Sequence, residues 1–277
     1  MRKGPAVTAA TVAVADTREV LAMPGAGPSV LTPAEALRLA AARTDGARAD
    51  FVAARFLARL CAADRNGGSP RDVVLEQRCP DCGGRHGRPR VVGGPGTAPE
   101  VSLSYADGVV AAAAADRPVG VDVERLHRDR APGLRTLRRF LTAGEADRIR
   151  RSRTPREALL RTWVRKEAVV KATGAGLPGM ALLDLSHLPP GPAGPDRPHR
   201  AGVRAPRGSR GSYDLYDLYD LADVPSGVIA AVAVAVAAPG STAAPRSPAA
   251  SGPRSLRSLD LDLEETIDTP SYQGDTS

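Results

Sequence analysis

Aromatic residues are scarce in this chain, with three Phe, one Trp and five Tyr among 277 residues. Few bases could stack on so small a set, and no basic run exceeds two residues, so the net charge of +7 argues weakly for nucleic acid. Lysine is scarcer still: Lys3, Lys166 and Lys171 stand against 35 arginines. In an Arg-, Ala-, Gly- and Pro-rich background, which a GC-rich coding sequence would produce, an arginine carries little information and a lysine invites a reason. Three cysteines, an odd number, make no disulfide framework. No apolar run approaches the roughly 18 residues of a membrane span; the longest, Val228 to Ala238, has the length of a strand. The first 16 residues place Arg2 and Lys3 before an Ala/Thr/Val segment, but lack the leucine-rich centre of a secretory signal and alternate like a first strand. A reduced, cytoplasmic protein with no membrane association is expected. With 42% hydrophobic and 25% charged residues, the chain can bury one large core or two smaller ones.

Strand and helix signals alternate along the chain. Thr8 to Ala15 reads as a strand. Thr32-Pro33-Ala34-Glu35 has a hydroxyl N-cap, proline at the first helical position and an acid at the third. Asp50 to Cys61 has helical apolar spacing, Val73 to Leu75 is a short strand, Cys79 to Gly96 a turn-rich loop, and Glu100 to Ala115 two strands. Val119 to Val123 is a further strand, and Leu134 to Leu141 reads as helical. Helices start at Thr142, with Glu145 at the capping-box position, and at Pro155, the latter running to Thr173 before a Gly174-Ala-Gly176 break. Strands follow near residues 200–204, 213–221 and 228–236. The Tyr-Asp-Leu triplets of 213–221 suit neither strand nor helix periodicity and are expected in a loop or edge strand. Residues 239–277 carry a net charge of −3 against +10 for the rest, and their Pro/Ser/Ala/Gly/Thr composition predicts disorder. The Leu/Asp alternation of 256–267 leaves room there for an amphipathic partner helix.

Two segments stand out. In Gly120-Val121-Asp122-Val123-Glu124 the two carboxylates project from one face of a strand. They repel unless a cation such as Mg²⁺ lies between them; a solvated strand edge is the plainer reading. In Trp163-Val-Arg-Lys166-Glu167-Ala-Val-Val-Lys171, residues 163, 167 and 171 form one helical stripe. That stretch contains the only tryptophan and two of the three lysines.

Gly-Val-Asp-Val-Glu followed some forty residues later by Trp-x-x-Lys-Glu-Ala-x-x-Lys resembles the signature of the 4′-phosphopantetheinyl transferases, and more closely that of their longer, monomeric type that activates peptide and polyketide synthetases. Phe140-Leu-Thr-Ala-Gly-Glu145 is similar to that family's Phe-x-x-x-x-Glu helix start, and Gly87-Arg88-Pro89 to its Gly-Lys/Arg-Pro loop. Val101-Ser102-Leu103-Ser104-Tyr105 stands where the family has Asn-x-Ser-His, so Ser102 replaces Asn and Tyr105 replaces His. The resemblance spans roughly Arg48 to Val236.

The resemblance implies an α+β fold, a pseudo-dimer of two similar α/β halves with the active site in the cleft between them. Residues 1–117 would supply the coenzyme A-binding half, 118–238 the Mg-binding and catalytic half, and 239–277 a tail. It implies Mg²⁺-dependent transfer of 4′-phosphopantetheine from coenzyme A to a serine of an apo acyl or peptidyl carrier protein, releasing 3′,5′-ADP. Asp122, Glu124 and Glu167 would hold the metal, with Glu167, Lys171 and Asp122 catalytic. Arg48, Arg55, Arg88, Pro89, Ser104, Tyr105, Lys166 and Lys171 would bind coenzyme A, Lys166 alternatively facing the carrier. Tyr105 also admits a coenzyme A-binding relative with weak or lost transferase activity, and the basic body a nucleic-acid-binding protein. Cys79, Cys82 and His86 have the spacing of three zinc ligands without an evident fourth.

Overall fold

The computed structural model describes residues 10–66, 68–79, 82–84, 87–92, 98–127, 137, 139–192, 199–204 and 213–236. Within them the fold is α+β, with two antiparallel sheets. The first is built from β1 (Thr11–Asp16), β2 (Val74–Gln77), β3 (Pro89–Val92), β4 (Glu100–Ala106) and β5 (Val109–Ala115), in the order β1-β5-β4-β3-β2. The second is built from β6 (Val119–Arg125), β7 (His199–Arg204), β8 (Tyr213–Asp220) and β9 (Val228–Ala235), in the order β6-β9-β8-β7.

The layering follows from strand alternation. All seven residues of β5 are buried. Its Val110, Ala112 and Ala114 face α3 (Asp45–Asn66), while Val109, Ala111, Ala113 and Ala115 face the second sheet. Alanine dominates because both neighbours approach closely. On β6, Val119, Val121 and Val123 enter the same inter-sheet layer. Gly120, Asp122 and Glu124 therefore face the other way, towards α5 (Pro155–Thr173), which packs with its Val164, Ala168 and Ala172 on the second sheet. The Asp107-Gly108 turn between β4 and β5 has φ of +45° and +80°, the left-handed pair that a two-residue hairpin favours.

The helix starts follow their local signals. Thr32 caps α2 (Pro33–Ala40) with a reciprocal capping box to Glu35, and Thr142 caps α4 (Ala143–Arg151) in the same way with Glu145. α5 ends on Gly174 at φ +72°. Other expectations are corrected. The loop from Cys79 contains β3, because Val91 is buried opposite Leu75. α3 starts five residues earlier and ends five later than its apolar pattern, since alanines and paired arginines extend it. Two five-residue helices, α1 (Thr17–Leu21) and α6 (Gly176–Met180), carry no sequence signal long enough to read. The Tyr-Asp-Leu triplets form β8, an internal strand between β9 and β7. A period of three laid on a strand's period of two puts Tyr216, Leu218 and Asp220 on one face and Tyr219 on the other, and all four are buried. Half of the helix expected over 134–141, and the whole tail 239–277, lie outside the described residues.

The approach of α5 to β6 is the tightest packing around the motif. A Cβ at Gly120 would lie 2.0 Å from the Ala168 carbonyl oxygen and 2.5 Å from the Ala172 nitrogen, both backbone atoms of α5. Gly120→Ala must therefore push the helix off the strand. Overpacking of this kind costs roughly 1–3 kcal/mol or more, and urea unfolding should show that loss as a lowered midpoint.

Candidate active site

The inward face of β6 and the overlying stripe of α5 bring Asp122, Glu124, Glu167 and Lys171 together. Asp122 is 4% exposed. Its Oδ1 accepts from Lys171 Nζ at 2.6 Å and from Ser104 Oγ at 2.7 Å. Lys171 Nζ also donates to Ser104 Oγ at 2.9 Å and to the Val121 carbonyl at 3.2 Å. Asp122 Oδ2 is buried and has no hydrogen-bond partner, an expensive state for a carboxylate oxygen.

The electrostatics agree with this crowding. Burial, the Asp122 charge and further repulsion from Asp107 and Glu167 push Glu124 up to about 7, against the partial relief of Lys171. Burial and Asp122 likewise raise Glu167, again opposed by Lys171. Three carboxyl groups thus crowd around one ammonium, a shortfall of positive charge among the described residues. A hard dication suits that deficit and the orphaned Oδ2. Among the described residues, however, no three such side chains form a closed ligand set.

The site is held by an edge of β6, which among the described residues has a strand neighbour on one side only. Val121 N–H donates to Ser102 Oγ at 3.0 Å, its carbonyl accepts from Lys171, and Arg88 Nη2 donates to the Val119 carbonyl at 3.4 Å. Side chains of β4, the β3 approach and α5 therefore seal this edge in place of a strand. Ser102, conspicuous in the sequence only as a departure from Asn, is one of those seals.

Several expected coenzyme A ligands are placed differently. Lys166 neither reaches Asp122 nor faces outward: it is fully buried, donating to Glu145 Oε2 and to the Phe140 carbonyl, each at 2.7 Å. Glu145 also accepts from Thr142 N and Leu185 N at 2.8 Å, so Lys166 completes a buried network that fixes α4 to α5. Arg88 is a strut rather than an outward clamp. It donates to the Ala172 carbonyl at 3.2 Å and pairs with Glu100 at 2.8 Å. Arg48 lies on the exposed first turn of α3, paired with Asp45 at 2.9 Å. Pro89 opens β3 opposite Gln77.

Arg55 is buried, with its guanidinium 3.7 Å from the Phe51 ring centroid and one N–H donated to Gln77 at 2.9 Å. Burial and the neighbouring Arg38 charge lower its pKa to about 10, while Glu35 and Tyr105 oppose this. Its Nε and Nη1 have no hydrogen-bond partner. Tyr105, 38% exposed on β4, adjoins Ser104 in sequence. Cys79 is buried and Cys82 exposed, but His86, the third residue of the zinc spacing, lies outside the described residues.

Two supporting residues gave no sequence signal. Arg165 is buried and forks onto Asp220 at 3.0 and 2.6 Å, with its other N–H groups on the Pro189 and Gly191 carbonyls. Arg59 pairs with Glu35 at 2.7 Å. The Lys166 network has a direct test. Removing one partner of a buried pair costs roughly 3–5 kcal/mol, so Lys166→Met should destabilise by that order in urea unfolding. A loss below about 0.5 kcal/mol, usual at surface positions, would show that the pair is not formed.

Residues 118–207, which include β6, α4, α5, α6 and β7, match the family model of the 4′-phosphopantetheinyl transferase superfamily. Comparison with curated proteins finds no match.

Proposed function

From the premise that residues 118–207 are a 4′-phosphopantetheinyl transferase superfamily domain, we propose that this protein is the long, monomeric, cytoplasmic type, moving the phosphopantetheine arm of coenzyme A onto a serine of an apo carrier protein. The observation that carries the reading is Asp122. It is buried and tied to Ser104 and Lys171, with one oxygen unsatisfied and two further carboxylates within electrostatic reach.

Asp122, Glu124 and Glu167 are the residues that would hold Mg²⁺. When bound there, the ion supplies charge neutralisation for a pyrophosphate. Glu167, whose basicity burial and Asp122 increase, takes the proton of the carrier serine. The serine oxygen then forms a bond to the β-phosphorus of coenzyme A as the bond to the bridging oxygen breaks, and 3′,5′-ADP leaves with that electron pair. Lys171, held over Asp122 and Ser104, offers its ammonium to the pyrophosphate. Arg55, whose Nε pairs with Glu35 at 3.4 Å while its buried Nη1 makes no hydrogen bond, offers a guanidinium to the adenosine-side phosphate. A basic body of +10 suits both anionic coenzyme A and acidic carriers.

Coenzyme A, Mg²⁺ and an apo carrier should give a gain of about 340 Da on the carrier, as a transferred phosphopantetheine arm requires. Asp122→Ala should abolish the gain, and Glu167→Gln should slow it by roughly 10²–10⁴-fold, the usual contribution of a general base. No gain across a panel of acyl and peptidyl carriers, with coenzyme A still bound, would support the non-transferring alternative. Metal binding has a separate readout. Millimolar Mg²⁺ should raise the melting temperature by a few degrees over chelator, and Asp122→Asn should remove the shift.

A further inference from the structure

Cys79 and Cys82 lie outside the matched residues 118–207 and have no role in the reaction proposed above. Their C-x-x-C turn is held by the backbone. Cys79 N–H donates to the Gly84 carbonyl at 2.8 Å, and Gly83 N–H donates to the Cys79 carbonyl at 2.9 Å. The second of these bonds closes an i→i+4 turn, in which positions i and i+3 lie ~5 Å apart. That separation falls within the roughly 4.4–6.8 Å over which a disulfide closes. Gly84 N–H also donates to Cys82 Sγ at 3.4 Å, which fixes the second sulfur. Both residues are thiols, Cys79 buried and Cys82 exposed.

The turn is also braced from outside. A Cβ at Gly87 would lie 3.5 Å from Cys79 Cα, so the returning chain rests against the first cysteine. Gln77 Nε2 holds that chain by donating to the Gly87 carbonyl at 2.6 Å, and its Oε1 accepts from Arg55 Nη2 at 2.9 Å. The two thiols are thus presented on a pre-formed turn, where an intramolecular step outruns a bimolecular one. Cys61 offers no competing site. It is buried in the first core, its thiol donates to the Ala112 carbonyl at 3.8 Å, and burial pushes that thiol up.

We propose that Cys79 and Cys82 form a reversible thiol–disulfide exchange site, with exposed Cys82 as the entry sulfur and buried Cys79 as the resolving one. The co-reactant is a low-molecular-weight disulfide. Cys82, as its thiolate, attacks one sulfur of that disulfide; the mixed disulfide forms and the first small thiolate leaves with the electron pair. Cys79, after losing its proton, attacks the Cys82 sulfur; the Cys79–Cys82 bond forms and the second small thiolate leaves. The two protein protons end on the two released thiols. The protein loses two electrons and the small disulfide gains them. An excess of dithiol runs the sequence backwards.

The test exposes the native full chain to oxidised glutathione and reads intact and peptide masses. Wild type should lose about 2 Da, as one new disulfide requires, mapped to tryptic peptide 79–85 and reversed by dithiothreitol. Cys79→Ser should instead keep about 305 Da of glutathione on Cys82, in roughly tenfold greater yield than wild type or more. Cys82→Ser should react at neither position. Glutathione accumulating on wild-type Cys82 as it does in Cys79→Ser would overturn the proposal, because the pair then fails to close. Equally fast reaction of Cys82→Ser would overturn it too, by making Cys79 the entry sulfur. So would stoichiometric zinc that must be chelated before either thiol reacts, which would assign the turn to a metal.

Discussion

Only a hydrogen atom fits between residue 120 and the backbone of α5, and the site depends on that contact. With Gly120 against Ala168 and Ala172, Lys171 reaches Asp122 at 2.6 Å and Glu167 comes close enough to feel the Asp122 charge. A larger side chain would hold the helix away, and long, flexible Lys171 could still reach down while the shorter Glu167 could not. The glycine of the Gly-Val-Asp-Val-Glu motif is thus a spacing device between two elements, in addition to being part of a strand.

Charge pairs then hold α5 in place around its circumference. Lys166 ties it to Glu145 and the start of α4, Arg165 to Asp220 and the end of β8, and Lys171 to Asp122 on β6. Each points in a different direction, so together they restrict rotation of the helix about its axis as well as its translation. Buried ion pairs are weak as sources of net stability but effective in selecting one arrangement over others. Here the selected arrangement is the one that keeps three carboxylates crowded around a single ammonium.

The strand and helix that carry the site were legible because both patterns are short-range. Alternation placed Asp122 and Glu124 on one face, and i, i+4, i+8 spacing aligned Trp163, Glu167 and Lys171. Lys166 was misread because it is adjacent in sequence to Glu167; one residue along a helix is a turn of about 100°, enough to point it into a different layer. Arg165 and Arg59 were invisible among 35 arginines, since what distinguishes them is a partner brought close by folding. Asp220, for example, lies 55 residues from Arg165. β3 was lost in a glycine-rich stretch, because a four-residue strand is defined by its neighbours more than by its own residues.

Among the described residues the edge of β6 has no neighbouring strand on its outer side and is closed by Ser102, Arg88 and Lys171. The same lysine therefore both pairs with Asp122 and shields exposed backbone. Replacing Lys171 would remove a partner of Asp122 and also uncover a strand edge, and bare edges recruit other chains. The outline of this site is thus held by protection of a strand edge as well as by its own charge pairs.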